Sequence, residues 1–182
     1  ILKLAIELEG HPDNVAPAIY GNMIIAFMED GNLYHESIKV PEEIRFLAMV
    51  PDFELSTEKA RAVLPKEIPH KHGVFNVSRC ALLIAAFTKN NLDLVKAACN
   101  DKFHQDYRSH LINNYDDIVA YANSLYSLGT FLSGAGPTIM TLAKDGDDEI
   151  LDKMKSYLAA LPDNWQILDL HCDPNGAYYK EV

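Results

Sequence analysis

Residues 130–142 constrain what this chain can fold into more than any other stretch. Two apolar segments, Thr130-Phe131-Leu132 and Ile139-Met140-Thr141-Leu142, flank Ser133-Gly134-Ala135-Gly136-Pro137-Thr138. A break so short and so rich in glycine and proline reads as a strand, a tight turn, and then a second strand or a helix start. Further strand signals fall at 45–50, where Pro51 closes an apolar run that begins after Pro41-Glu42-Glu43, and at 165–171. Between these strands the apolar residues recur with helical spacing. Ser56 or Thr57 caps a short helix that runs to Leu64 and is stopped by Pro65. Residues 73–88 put Val74, Val77, Ala81, Leu82 and Ala85 on one helical face that is expected to be buried. Residues 92–99, about 101–111 and 115–128 read as further helices, and 147–161 is amphipathic through Ile150, Leu151, Met154, Tyr157 and Leu158. Strand, helices, strand, helix, strand predicts an α+β domain over 44–182: two layers, with an antiparallel sheet covered on one face by helices.

The first 43 residues read as a separate piece. Residues 1–9 alternate like a strand at Leu2, Leu4, Ile6 and Leu8, or make a helical stripe of Ile1, Leu4, Ala5 and Leu8. Their Leu, Lys, Ala and Glu content favours the helix. The segment Gly10-His11-Pro12-Asp13-Asn14 follows as a loop, and small residues through Gly21 allow close approach of chain to chain. Apolar runs at 23–28 and 33–40 lie on either side of Glu29-Asp30-Gly31-Asn32, which is hairpin chemistry. The polar, proline-containing break at 41–43 predicts a domain boundary. At 182 residues the chain suits one domain plus an appended piece. It opens on Ile1 rather than Met, within a periodic segment, which suggests a portion of something longer.

Charge and composition exclude several classes of function. With 48% hydrophobic and 23% charged residues the chain is an ordinary globular protein, neither disordered nor a disulfide scaffold. Sixteen Lys and Arg against 26 Asp and Glu give a net charge of −10, with no clustering of cations, so a phosphate backbone is disfavoured as partner. Cys80, Cys99 and Cys172 share no metal-ligand spacing and read as reduced thiols of a cytoplasmic protein. No apolar run reaches the roughly 18 to 20 residues that span a bilayer, and the start does not resemble a signal peptide.

Chemistry concentrates at a few places. In Glu9-Gly10-His11-Pro12-Asp13-Asn14, glycine and proline fix the path so that two acids, an imidazole and an amide can converge; an Asx-turn or helix cap is the plainer use of the same residues. In the glycine-rich segment, two glycines in three residues let backbone N–H groups face an anion, although no Gly-Lys-Ser/Thr follows and a tight structural turn serves equally. Arg79, within Asn76-Val77-Ser78-Arg79, and Arg108, within His104-Gln105-Asp106-Tyr107-Arg108, stand out from the acidic background. A pair of planar guanidiniums suits a carboxylate, as it also suits surface ion pairing. His70-Lys71-His72 lacks a third ligand at fitting spacing and reads as a loop.

Together these segments resemble the GHMP family of small-molecule kinases, and its homoserine kinase branch in particular. EGHPDNVAPAIYGN followed by FLSGAGPTIMTL carries the resemblance, with SRCALLIAAF and HQDYRSHLI between them, so the likeness covers nearly the whole chain. It implies a ferredoxin-like C-terminal domain preceded by a remnant of the nucleotide-binding domain. It also implies transfer of the γ-phosphoryl of MgATP to the hydroxyl of L-homoserine, in threonine synthesis. By the same resemblance Glu9 matches the ligand for the nucleotide's Mg2+, with Glu7 the alternative if the register slips. His11, Asp13 and Asn14 match the loop facing the reacting hydroxyl, with Asp13 a base or only an orienting group. Arg79 and Arg108 match the grip on the amino-acid end, and Ser133, Gly134, Ala135, Gly136 and Thr138 match the motif beside the phosphate site. The family's Gly-Leu-Gly-Ser-Ser-Ala phosphate loop has no counterpart in these 182 residues, so the chain looks like the final part of the kinase, a poor catalyst alone. Another GHMP kinase acting on an alcohol such as mevalonate, or a non-catalytic α+β ligand-binding module, are the competing readings. A homodimer is left open.

Overall fold

The computed structural model describes residues 1–179 and divides the chain into two compact units.

The first unit runs from Ile1 to Glu42 and includes the segment from Cys172 onward. Helix α1 (Leu2–Glu9) ends at Gly10, whose φ of 86° is the left-handed stop that glycine adopts without strain. The helix expected here forms, but on another face: Leu2 and Ile6 are buried, whereas Leu4 and Leu8 are 63% and 83% exposed. Leu2 and Ile6 are four residues apart on one side, and that side packs with Ala16 of helix α2 (Pro12–Tyr20). Helix α2 corrects the reading of 10–14 as a loop throughout. Only Gly10 and His11 connect the helices; Pro12, Asp13 and Asn14 form the first turn of α2. Proline at the start of a helix lacks only an N–H that would be unpaired there anyway, and Asp13 suits the positive end of the helix dipole.

Strands β1 (Met23–Glu29) and β2 (Asn32–Ile38) form the expected hairpin, with Glu29 opposite Asn32. Asp30 and Gly31 make the turn at φ 49° and 75°, the left-handed pair that a two-residue hairpin loop requires. The segment after Cys172 returns to this unit: Asn22 N donates to Asp173 O (2.8 Å), Asn22 Nδ2 to Pro174 O (3.1 Å), and Ala177 N to Ala18 O (3.0 Å). A Cβ on Gly21 would lie 2.7 Å from Asp173 O, so that approach needs a residue without a side chain. The second unit therefore ends at His171 rather than running to 182.

The second unit begins with β3 (Ile44–Pro51) and α3 (Thr57–Ala62), capped by Ser56 Oγ, which accepts from Lys59 N at 3.2 Å. There follow α4 (His70–Thr88), a 3-10 turn at Leu92–Leu94, α5 (Val95–Ala98), α6 (Gln105–Arg108), a 3-10 turn at Ser109–Leu111 and α7 (Tyr115–Ser124). The chain closes with β4 (Gly129–Leu132), β5 (Ile139–Lys144), α8 (Asp148–Leu158) and β6 (Trp165–Leu170). The sheet order is β4-β5-β3-β6 and every pairing is antiparallel. With α7 and α8 as the crossing helices this is the βαββαβ ferredoxin-like arrangement, an α+β fold of two layers. Leu47 and Met49 of β3, Ile139 and Ala143 of β5, Ile118 and Ala122 of α7 and Met154 and Leu158 of α8 form its core. Arg45, only 4% exposed, sits at the margin of that layer, with Nη1 donating to Asp148 Oδ1 (3.0 Å) and Nε to Asp169 Oδ1 (3.0 Å).

Two helical expectations are revised. The face of α4 at Val74, Val77 and Ala81 is exposed, with Val77 at 69%, and the buried residues are Ala86 and Phe87 at its other end. Apolar spacing marks a face but does not say what packs against it. Residues 101–111 hold only one α turn and one 3-10 turn, because the Asp101 carboxylate takes the backbone N–H groups of Phe103, His104 and Gln105 that follow it.

Candidate active site

In the first unit the acidic and polar residues of 9–14 cluster where α1 ends and α2 begins. Glu9 is the last residue of α1 and is exposed, as is Glu7 two residues earlier. His11, extended at φ −149°, occupies the position before the first turn of α2 without a side-chain capping bond, its Nδ1 3.5 Å from Asp13 Oδ1. Asn14 N donates to the same Asp13 oxygen at 3.1 Å, and Asn14 is exposed. Among the described residues no group of three His, Cys, Asp or Glu could cage a metal. A single carboxylate such as Glu9 nevertheless fits a magnesium ion that takes its other ligands from water and nucleotide phosphates.

In the second unit Arg108 and the glycine-rich turn meet. The turn at 133–138 is closed by Ser133 N donating to Thr138 O (2.9 Å) and Gly136 N to Ser133 O (2.9 Å). The backbone N–H groups it can offer an anion are therefore those of Gly134, Ala135 and Thr138, since Pro137 has none, with the Ser133 and Thr138 hydroxyls as further donors. Arg108 grips this turn directly: Nη1 donates to Gly134 O (3.0 Å), and Nε donates to Ala60 O (3.0 Å) at the end of α3. His104 Nδ1 lies 3.3 Å from the same Nη1. Burial and the charge of Arg61 both work against the Arg108 cation, with Asp101 opposing them. An anionic ligand would relieve that imbalance. Burial likewise lowers the His104 pKa, so that its ring stays neutral and can accept from Arg108.

Arg79 is oriented by other means. Its guanidinium carbon lies 3.5 Å from the centre of the Phe75 ring, one turn earlier on α4, and Nη1 donates to Ser78 Oγ at 2.9 Å. Its Nε is buried without a partner. The sequence reading missed the residues that support the two arginines. Asp101, with a side chain 9% exposed, accepts from Asn76 Nδ2 (2.6 Å) and from the N–H groups of Phe103 (3.0 Å), His104 (2.7 Å) and Gln105 (2.7 Å). Burial alone would raise its pKa, but these four donors outweigh it and hold the carboxyl below the usual range. Gln105 Oε1 accepts from Leu132 N and from Tyr115 Oη, both at 2.9 Å, tying α6 to the strand that enters the glycine-rich turn. The available signal was an Asp placed just before a short helical stretch.

The GHMP kinases C-terminal family model matches residues 83–160, which run from α4 through α8. The chain is 43% identical to the homoserine kinase of Clostridium botulinum strain Eklund 17B over 178 residues, 98% of this chain and 60% of that protein. It is 48% identical over 176 residues to that of a second strain, covering 97% of this chain and 59% of that protein. The chain carries a GHMP kinases C-terminal domain. It spans about 60% of the length of the curated relatives it matches. The crystal structure of homoserine kinase from Cytophaga hutchinsonii superposes with a TM-score of 0.89 at 28% identity, over 96% of this chain and 58% of that one. A putative homoserine kinase from Listeria monocytogenes gives 0.74 at 30% identity, over 98% and 59%. The family match includes Arg108 and the 133–138 turn, so the hydrogen bond between them lies within the GHMP kinase C-terminal domain itself.

Proposed function

We propose that this chain is the C-terminal part of an ATP-dependent homoserine kinase, with residues 1–43 contributed to its nucleotide-binding domain. The observation that carries the reading is Arg108, a guanidinium anchored on Ala60 O and Gly134 O beside a glycine-rich turn. It is supported by identity of 43% and 48% to proteins named homoserine kinase over nearly the whole chain.

In the reaction the bond between the γ-phosphorus and its bridging oxygen breaks as the homoserine hydroxyl oxygen bonds to phosphorus, and the hydroxyl gives up its proton. Such transfers depend on alignment and charge neutralisation far more than on a strong base. Arg79 and Arg108 hold the α-carboxylate of homoserine, each with donors beyond those spent on the protein. Asn14 and His11 orient the hydroxyl, and Asp13 stands beside them to take or share its proton. The 133–138 turn faces the phosphates with its Gly134, Ala135 and Thr138 N–H groups. Glu9 would hold the magnesium ion, which would neutralise charge on the phosphate oxygens. Homoserine and MgATP are then the small-molecule partners, and the cytoplasm is the compartment. No helix among the described residues is long and apolar enough to cross a membrane.

The test is ATP-dependent phosphorylation of L-homoserine by the enzyme that contains this chain. Replacing Arg108 or Arg79 by Ala removes a charged hydrogen bond worth about 1.5 to 3 kcal/mol, so the homoserine KM should rise about 10- to 150-fold, with the ATP KM less affected. Arg108→Ala also frees Gly134 and should lower kcat as well. An unchanged homoserine KM in both variants would return the two arginines to a surface role.

A further inference from the structure

The two arginines sit on different elements, α4 and α6, and a single carboxylate joins those elements. Asp101 Oδ1 takes the Asn76 side-chain amide at 2.6 Å, while Asn76 Oδ1 takes Lys102 N at 2.9 Å. Two bonds running in opposite directions fix an angle as well as a distance. Asn76 lies three residues before Arg79 on α4, so both project from one side of the helix. On the other side of the brace, Asp101 Oδ2 takes the N–H groups of His104 and Gln105, the residues that begin the turn ending in Arg108.

Asp101 has nothing left to give a ligand. A carboxylate offers about four acceptor positions, and Asn76, Phe103, His104 and Gln105 occupy four. It therefore acts through other residues and touches neither substrate nor metal. We propose that Asp101 and Asn76 are positioning residues that lock the α4 segment bearing Arg79 to the α6 turn bearing Arg108, so that both guanidiniums address one amino-acid carboxylate. This rests on the homoserine kinase reading. It assigns the selectivity for an α-carboxylate substrate partly to a brace that never contacts it.

The experiment measures steady-state kinetics on the full enzyme containing this chain, as wild type, Asn76→Ala, Asp101→Asn and the double variant. Asn76→Ala leaves the backbone bonds of Asp101 in place, so it carries the test even where Asp101→Asn folds poorly. In each variant the homoserine KM should rise about tenfold or more, with the ATP KM within about twofold of wild type. The double variant should be no worse than the poorer single one, because both remove the same brace. A purely structural role would lower the melting temperature without this split between the two substrates. Homoserine KM values within twofold of wild type, or a rise in both KM values together, overturn the brace while leaving the kinase reading intact. Wild-type enzyme that does not phosphorylate homoserine overturns the reading and the brace with it.

Discussion

At the scale of single residues, hydrogen-bond supply decides what each polar group can do. Asp101 and Asp13 are the same residue type, yet Asp101 is half-buried under four donors while Asp13 stands exposed with one backbone N–H and a nearby imidazole. The first is saturated and structural in its direct contacts, and the second keeps acceptor capacity for a substrate. The depressed pKa of folded Asp101 makes it a source of pH-dependent stability. Its unfolded value is about 3.9, so its contribution is complete above that pH and is lost as the pH falls from there through the folded value. Thermal melts of wild type and Asp101→Asn should differ most at neutral pH and converge below about pH 4. A gap that stays constant from pH 7 to pH 3 would refute this. Arg79 and Arg108 were legible in the sequence because cations are scarce in an acidic chain. Asp101 was not, since one more Asp in a polar stretch carries no mark of the donors that fold around it.

Among the elements, close approach matters as much as apolar pattern. Helix α5 packs on β4 at Gly129, where a Cβ would stand 2.6 Å from Cys99 Sγ and 3.2 Å from Cys99 Cβ. Burial pushes the Cys99 thiol up to about 12, so it stays protonated and acts as a small packing group. Gly129→Ala should therefore destabilise by about 1 to 3 kcal/mol, the usual cost of overfilling a packed site. Adding Cys99→Ala should recover part of that loss, because the sulfur is the atom in the way. Denaturant unfolding of the two single variants and the double variant checks both statements, and simple additivity would count against them. The hairpin at β1 and β2 and the capped helices α3 and α8 follow from local signals: Asp-Gly at a two-residue turn, Ser56 and Asp147 at helix starts. Helix α2 did not, because Pro12 and Pro17 are ordinarily read as breaks, although Pro12 falls at the one helical position that tolerates it.

For the molecule as a whole, the chain covers about 60% of the length of its homoserine kinase relatives and holds no Gly-Leu-Gly-Ser-Ser-Ala segment. Tested by itself, it should phosphorylate homoserine poorly. Alignment of reactants can account for about 7 to 11 kcal/mol of a barrier, and the backbone donors of a phosphate loop supply part of that alignment. Turnover by the 182-residue chain matching that of the longer enzyme would contradict this. The sequence by itself determined the α+β order of strands and helices, the hairpin and the glycine-rich turn, and marked the two arginines as candidates, because each rests on periodicity, turn chemistry or charge within a few residues. Only the tertiary structure decided that α1 buries Leu2 and Ile6, that the α4 face at Val74 and Val77 is exposed, and that the segment after Cys172 returns to the first unit. It alone tied Arg108 to Gly134 and Asn76 to Asp101. Those contacts join residues 25 or more positions apart, and no local pattern encodes which distant partner will satisfy a donor or cover an apolar face.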